Sequence, residues 1–265
     1  MNKIDRMQKF IEIIARLRDP KNGCPWDLEQ SFETMSPYVL EEAYEVVEAL
    51  EQNDPINLKE ELGDLLLQVV FLSQLASEAN LFTFDEVVES VSEKIVRRHP
   101  HVFGKVKADT SEQVLQNWEQ IKQQERQEKA QYSVLDNIPL ALPALVRAEK
   151  VQKRCAKVGF DWDSVSPVVE KVQEELDEVR QELIREPQNQ QAIAEEVGDL
   201  LFAMVNLSRH LDLQAEHLLR KATQKFERRF KKVEQEVKQQ QKTFEMMNLV
   251  ELDLIWDQVK REEQE

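Results

Sequence analysis

Hydrophobic positions along this chain recur at intervals of three and four residues almost throughout, the spacing of one helix face. Residues 3–18 place Ile4, Met7, Ile11, Ile14 and Leu17 on such a face, predicting a lead-in helix that Asp19-Pro20 stops. The turn-rich KNGCPWD that follows reads as a loop. A second helix is expected from Ser36-Pro37, with Ser as cap and Pro at its first position, as far as Asn53-Asp54-Pro55. The next, over about 56–79, carries so apolar a run from Leu65 to Leu75 that it should be central and nearly surrounded by protein. Thr83-Phe-Asp-Glu86 and Thr110-Ser-Glu-Gln113 read as capping boxes opening two further helices, the first ending at His99-Pro100 and the second containing Trp118. No strand-like alternation competes, so the expected fold class is all-α.

The pattern then repeats. Glu42-x-x-Glu45 recurs 133 residues later as Glu175-x-x-Glu178, and Glu61-x-Gly63-Asp64 recurs as Glu196-x-Gly198-Asp199. Lys94-x-x-Arg97-Arg98 is matched by Lys225-x-x-Arg228-Arg229, and Trp118-x-x-x-Lys122 by Trp256-x-x-x-Lys260. Setting Trp162 over Trp26 also pairs Gly159 with Gly23 and Arg154 with Arg18. The chain is thus a tandem duplication, read as an N-terminal helical domain over 1–125, a linker over 126–142 and a C-terminal helical domain over 143–265. Units of so few helices, with so apolar a second helix, are expected to complete their bundles against a partner, another unit or another chain.

Composition narrows the function classes. Five glycines in 265 residues suit helices, and a formal net charge of −16 excludes a dedicated binder of duplex nucleic acid or of an anionic membrane surface. No apolar run approaches the ~18 residues of a membrane span. Cys24 and Cys155 stand alone, and the charge-interrupted N-terminus lacks a signal-peptide core, so a cytoplasmic protein is expected.

The candidate chemistry lies in the repeated carboxylates. Residues three apart share a helix face, so Glu175 with Glu178 and Glu196 with Asp199 would crowd four carboxylates between two packed helices. Such hard oxygen donors, with no histidine in the pattern, favour Mg²⁺, with Mn²⁺ also possible, over Zn²⁺ or Cu²⁺. A solvated acidic helix face explains one such pattern; it explains less well two in register, each beside the most apolar segment of its half. Gly63 and Gly198, inside helices, suggest close helix approach. Glu42, Glu45, Glu61 and Asp64 form an equally complete N-terminal set. Lys225 with Arg229, and Lys94 with Arg98, share helical faces suited to phosphate, or to plain solvation. Trp118 and Trp256 are either stacking platforms or core.

Taken together, RLRDPKNGCPWD, SPYVLEEAYEVVEAL, EELGDLLLQVVF, RRHPHVFG, SVLDNIPLALPAL and KVGFDWD resemble the MazG family of nucleoside triphosphate pyrophosphohydrolases, in its two-domain bacterial form. The resemblance spans essentially the whole chain. It implies a homodimer that hydrolyses ribo- and deoxyribonucleoside triphosphates to the monophosphate and pyrophosphate with Mg²⁺. It carries metal ligation onto Glu175, Glu178, Glu196 and Asp199. Nucleotide contacts fall on Lys171 to Glu175 (Glu174 included), Ala192 to Glu195, Lys225 to Arg229 (Arg228 included), and Trp256. Glu174 or Glu195 is the expected general base. An all-α pyrophosphohydrolase restricted to dUTP, dCTP or a phosphoribosyl nucleotide, and a non-enzymatic helical dimerisation adaptor, are the competing readings.

Overall fold

The computed structural model describes residues 3–128 and 133–263, and the side chains of 6–125 and 133–263. Among the described residues every regular element is helical, and the chain divides into two compact units, Met1–Glu125 and Arg126–Glu265.

In the N-terminal unit α1 (Lys3–Leu17) leads into a short α2 (Pro25–Glu29) and then α3 (Phe32–Gln52), α4 (Pro55–Glu78), α5 (Phe84–Arg98), α6 (Pro100–Phe103) and α7 (Ser111–Glu128). α3 begins five residues earlier than Ser36-Pro37 suggests. Ser31 caps it, accepting from the Thr34 backbone N–H while the Thr34 hydroxyl accepts from that of Ser31, and Pro37 lies inside the helix. A reciprocal threonine cap is easily overlooked where Glu or Gln is the usual partner. The other end is as expected: Asn53 takes a left-handed conformation (φ 53°) and Asp54 caps α4 with Pro55 at its first position. Thr83 and Glu86 close a full capping box; Thr110 accepts from the Gln113 N–H, but the Gln113 side chain turns to the Asp109 N–H instead. KNGCPWD is not wholly loop, since Pro25 starts the single turn and a half of α2.

α3 and α4 form the main pair, with α1 and α5 against α4. Ile14, Met35, Val70, Phe71 and Leu75 are buried together, with Met7 and Ile11 of α1 packed against them; Ile4 lies outside the described side chains. Each fully buried aliphatic or aromatic side chain contributes about 1.5–3 kcal/mol. α4 is not nearly surrounded, contrary to the expectation from its apolar run. Leu62, Leu66 and Val69 stay exposed along one face, with Gly63 among them.

The C-terminal unit repeats the plan. Residues 133–143 turn and bend before α8 (Ala144–Ala156), with Ile138 buried and the Val134 carbonyl accepting from Arg154. Of the linker expected over 126–142, α7 takes the first residues and 129–132 lie outside the described residues. α9 (Val165–Ile184) and α10 (Gln190–His210) are the main pair, with α8 and α11 (Ala215–Gln239) against α10. A 3₁₀ turn, η1 (Phe244–Met246), precedes α12 (Leu249–Glu262), which seats Ile255 and Val259 against Val233 and Val237 of α11. α10 leaves Val197, Leu201 and Met204 exposed, the positions matched to Leu62, Leu66 and Val69. Among the described residues the close approach expected at Gly63 and Gly198 is absent. A β-carbon built at either meets nothing within 4 Å, because both sit on these open faces.

Candidate active site

The α9–α10 pairing sets the acidic groups face to face. Asn189 caps α10, accepting from the Gln191 and Ala192 N–H groups, which fixes the turn from which Glu195, Glu196 and Asp199 project. Carboxylate oxygens of Glu175, Glu196 and Asp199 lie within 4.8 Å of one another. Glu175 is only 5% exposed, and its charge is met by the Lys171 ammonium at 2.8 Å, which also reaches Glu174 at 2.9 Å. Those two hydrogen bonds, Glu175 first, push the Lys171 pKa up. Glu178 stands outside the trio, yet its pKa is raised, mainly by desolvation and then by repulsion from Glu175 and Glu196. Glu195 is exposed and accepts from Gln191 at 3.2 Å.

In the N-terminal unit a different three of the four matched positions converge. Oxygens of Glu42, Glu45 and Glu61 lie within 4.8 Å of one another, while half-buried Asp64 remains outside. Desolvation raises the pKa of Glu42, opposed by the Gln68 amide at 3.3 Å and reinforced by repulsion from Asp64 and Glu45. Glu61 is likewise raised, by desolvation and then by Glu45. Carboxylates pressed together until their charged forms are disfavoured suit a hard divalent cation. The donor set in each unit is all oxygen.

In each unit the basic residues gather on a glutamate that sequence reading missed. One carboxylate, Glu263, holds Arg229 at 2.8 Å, Arg228 at 3.2 Å and Lys232 at 3.3 Å. In the N-terminal unit Glu125 holds Arg98 at 2.6 Å and Arg97 at 2.7 Å. Each glutamate is held down to about 2, chiefly by the hydrogen bond from Arg229 and from Arg98 respectively. The signal was available, because both stand in W-x-x-x-K-x-x-E, from Trp118 to Glu125 and from Trp256 to Glu263. Lys94 and Lys225 are exposed on the same helices. Trp256 packs beside Phe226, 5.0 Å between ring centres, and against the α11–α12 core; Trp118 lies beside His99 and under Lys122.

Beside the C-terminal carboxylates opens a cavity of about 480 Å³. Lys171, Glu175 and Asp199 line it together with Gln152, Phe160, Trp162 and Asn206, and Lys225, Arg228, Arg229 and Trp256 are not among its walls. Its polar wall is tied together. Arg209 donates to Asp161 at 2.5 and 2.9 Å and to Asn206 at 2.7 and 3.0 Å, and His210 reaches Asp161 at 2.9 Å. The Arg209 hydrogen bonds hold Asp161 at about 2. No local pattern announced this cluster, since Asp161 and Arg209 are 48 residues apart.

Comparison with known proteins agrees with this duplicated arrangement. The model of the MazG nucleotide pyrophosphohydrolase domain matches residues 30–103 and again 164–234, so each match contains one set of four carboxylates. The chain is 53% identical over 263 residues to a nucleoside triphosphate pyrophosphohydrolase of Escherichia coli K12, covering 99% of both chains. It is 42% identical over 253 residues to the nucleoside triphosphate pyrophosphohydrolase/pyrophosphatase MazG of Thermotoga maritima, covering 96% of this chain and 95% of that one. A nucleoside triphosphate pyrophosphohydrolase of Mycobacterium tuberculosis is 35% identical over 157 residues, 58% of this chain and 47% of its own. The family model meets both carboxylate sets and the E. coli and T. maritima likenesses run nearly end to end: the chain belongs to the MazG nucleotide pyrophosphohydrolase family.

Proposed function

We propose that this protein is a Mg²⁺-dependent pyrophosphohydrolase of ribo- and deoxyribonucleoside triphosphates, yielding the nucleoside monophosphate and pyrophosphate with consumption of one water. The observation that carries the reading is the convergence of Glu175, Glu196 and Asp199 beside Lys171, in a family member whose full-length relatives bear that activity in their names. Glu175, Glu178, Glu196 and Asp199 would hold Mg²⁺, or Mn²⁺, which when bound supplies positive charge against the polyphosphate and Lewis acidity at the reacting phosphorus.

The chain's own groups do the rest. Lys171, now donating to Glu174 and Glu175, transfers hydrogen bonds to the substrate's phosphate oxygens once those carboxylates are engaged otherwise. Lys225 and Arg229 neutralise charge on the departing pyrophosphate, with Arg228 beside them and Trp256 as a nucleotide contact. Glu174 or Glu195 accepts the proton of the attacking water. The matched set of Glu42, Glu45, Glu61, Asp64, Lys94 and Arg98 forms a second site of the same kind. The exposed faces of α4 and α10 pair in a homodimer, and the enzyme serves the cytoplasmic nucleotide pool.

The test is product analysis with a panel of NTPs and dNTPs, with and without Mg²⁺, on the wild type, E196Q and E61Q. Monophosphate and pyrophosphate should appear only with the metal, each single substitution should remove its own site's share of the rate, and E196Q combined with E61Q should lower the rate at least 100-fold. Release of single phosphates, or turnover unaffected by both substitutions, would overturn the proposal.

A further inference from the structure

We propose that the cavity beside the C-terminal carboxylates is a nucleobase pocket, and that the side-chain carbonyl of Gln152 reads an amino group on the base. This rests on the hydrolase reading above for what the neighbouring carboxylates do. Gln152 projects from α8, is 7% exposed, and donates through Nε2 to the Phe202 carbonyl at 2.9 Å. That bond fixes the amide orientation, because a flipped amide would set two carbonyl oxygens against each other. The atom left over is Oε1, buried and without a hydrogen-bond partner, on a residue that lines the cavity. A buried acceptor of that kind is costly until a donor reaches it.

Two other polar side chains of the lining are tied to each other through Arg209. Asn206 Oδ1 accepts from Arg209, and Arg209 is clamped by Asp161. A ligand therefore meets a largely apolar chamber in which Gln152 Oε1 is a buried acceptor left to satisfy, with Lys171, Glu175 and Asp199 at the same cavity. Phe160 is 82% and Trp162 43% exposed, so two aromatic rings lining the chamber present accessible faces. A flat heteroaromatic ring that stacks and carries an N–H donor satisfies both features, and about 480 Å³ accommodates a nucleoside. Lys171, Glu175 and Asp199 stand at the same cavity, where the sugar's phosphates would emerge.

The duplication supplies an internal contrast. Aligned on the glycine and tryptophan pairs, Gln152 is matched by Arg16, Phe160 by Cys24 and Asn206 by Phe71. Phe71 is 3% exposed within the N-terminal core, so the position that helps line this chamber is there occupied by packed hydrocarbon. The N-terminal unit keeps the carboxylates without this base-reading wall.

The test uses substrate pairs that differ by the amino group alone: ATP against purine riboside triphosphate, and CTP against pyrimidin-2-one riboside triphosphate. Wild type should favour the amino-bearing member about 5- to 50-fold in kcat/KM. Q152L should bring both ratios close to one by slowing the amino-bearing member. Q152N, which keeps a polar side chain but withdraws the carbonyl, should do the same and guards against a folding failure of Q152L. Equal handling of each pair by wild type, or ratios unchanged in a folded Q152L or Q152N, overturns the assignment. Tryptophan-fluorescence titration with adenosine and purine riboside, which carry no phosphate, separates the two proposals. Preference for adenosine in a protein inactive on every triphosphate keeps the pocket and removes the hydrolase; full activity with no such preference does the reverse.

Discussion

Replacing Asp161 by Asn should destabilise the C-terminal unit by about 2 kcal/mol at pH 7. Asp161 faces Arg209 and His210, whose side chains are 11% and 10% exposed, while its own is 24% exposed. Its carboxyl is lowered from 3.8 to about 2, so ionisation favours the folded state by roughly 1.8 × 1.36, or about 2.4 kcal/mol. Partial exposure and the one acceptor that Asn retains trim this to about 2. A depressed carboxylate contributes stability that is fully present above the unfolded pKa and is lost as pH falls through the folded one. The contribution should therefore hold from pH 7 to about 5, fall to roughly half by pH 3, and vanish below about 2. Hydrogen exchange of α9 and α10 peptides in graded urea reads the difference between wild type and D161N at each pH. A difference under ~0.5 kcal/mol at pH 7, or one that grows on acidification, would refute the reasoning.

Two further outcomes follow from other features. In the dissociated chain, Gly198→Ala and Gly63→Ala should each raise stability by about 0.5–1 kcal/mol, since nothing among the described residues meets the added carbon; urea unfolding at protein concentrations low enough to separate the proposed homodimer checks this, and destabilisation there would refute it. Glu263→Gln should lower KM for ATP about threefold, because it removes a competing anion from Arg228, Arg229 and Lys232; initial-rate kinetics decide, and a raised KM would mean that the carboxylate instead positions those side chains.

What the sequence disclosed was local or repeated. The Asn53-Asp54-Pro55 boundary and the Thr83–Glu86 box were legible because cap chemistry lies within four residues of the helix end. The carboxylate sets were legible because two helical repeats placed them in register. The start of α3 was misread because Ser36-Pro37 imitates a cap, whereas Ser31 with Thr34 performs one. Burial was overstated along α4, since an apolar helix advertises every face it can bury and not those left open in one chain. Closure of different trios, without Asp64 in one unit and without Glu178 in the other, depends on side-chain geometry that spacing alone leaves undefined. The chamber at Gln152 was invisible because α8, the turn at Phe160–Trp162 and α10 meet there from distant positions.

The carboxylate that gathers Arg228, Arg229 and Lys232 changes what kind of event triphosphate capture would be. A bare cluster of cations on a chain of net charge −16 would carry its own cloud of small anions and release them on binding, giving a steep dependence on salt. Here the anion is built in. A phosphate arriving at these side chains would displace a tethered carboxylate, which could swing free but not leave. If these cations take the polyphosphate as proposed, capture would be an ion exchange within one molecule, nearly indifferent to ionic strength at short range, and the glutamate would stay close enough to reclaim its cations as pyrophosphate leaves.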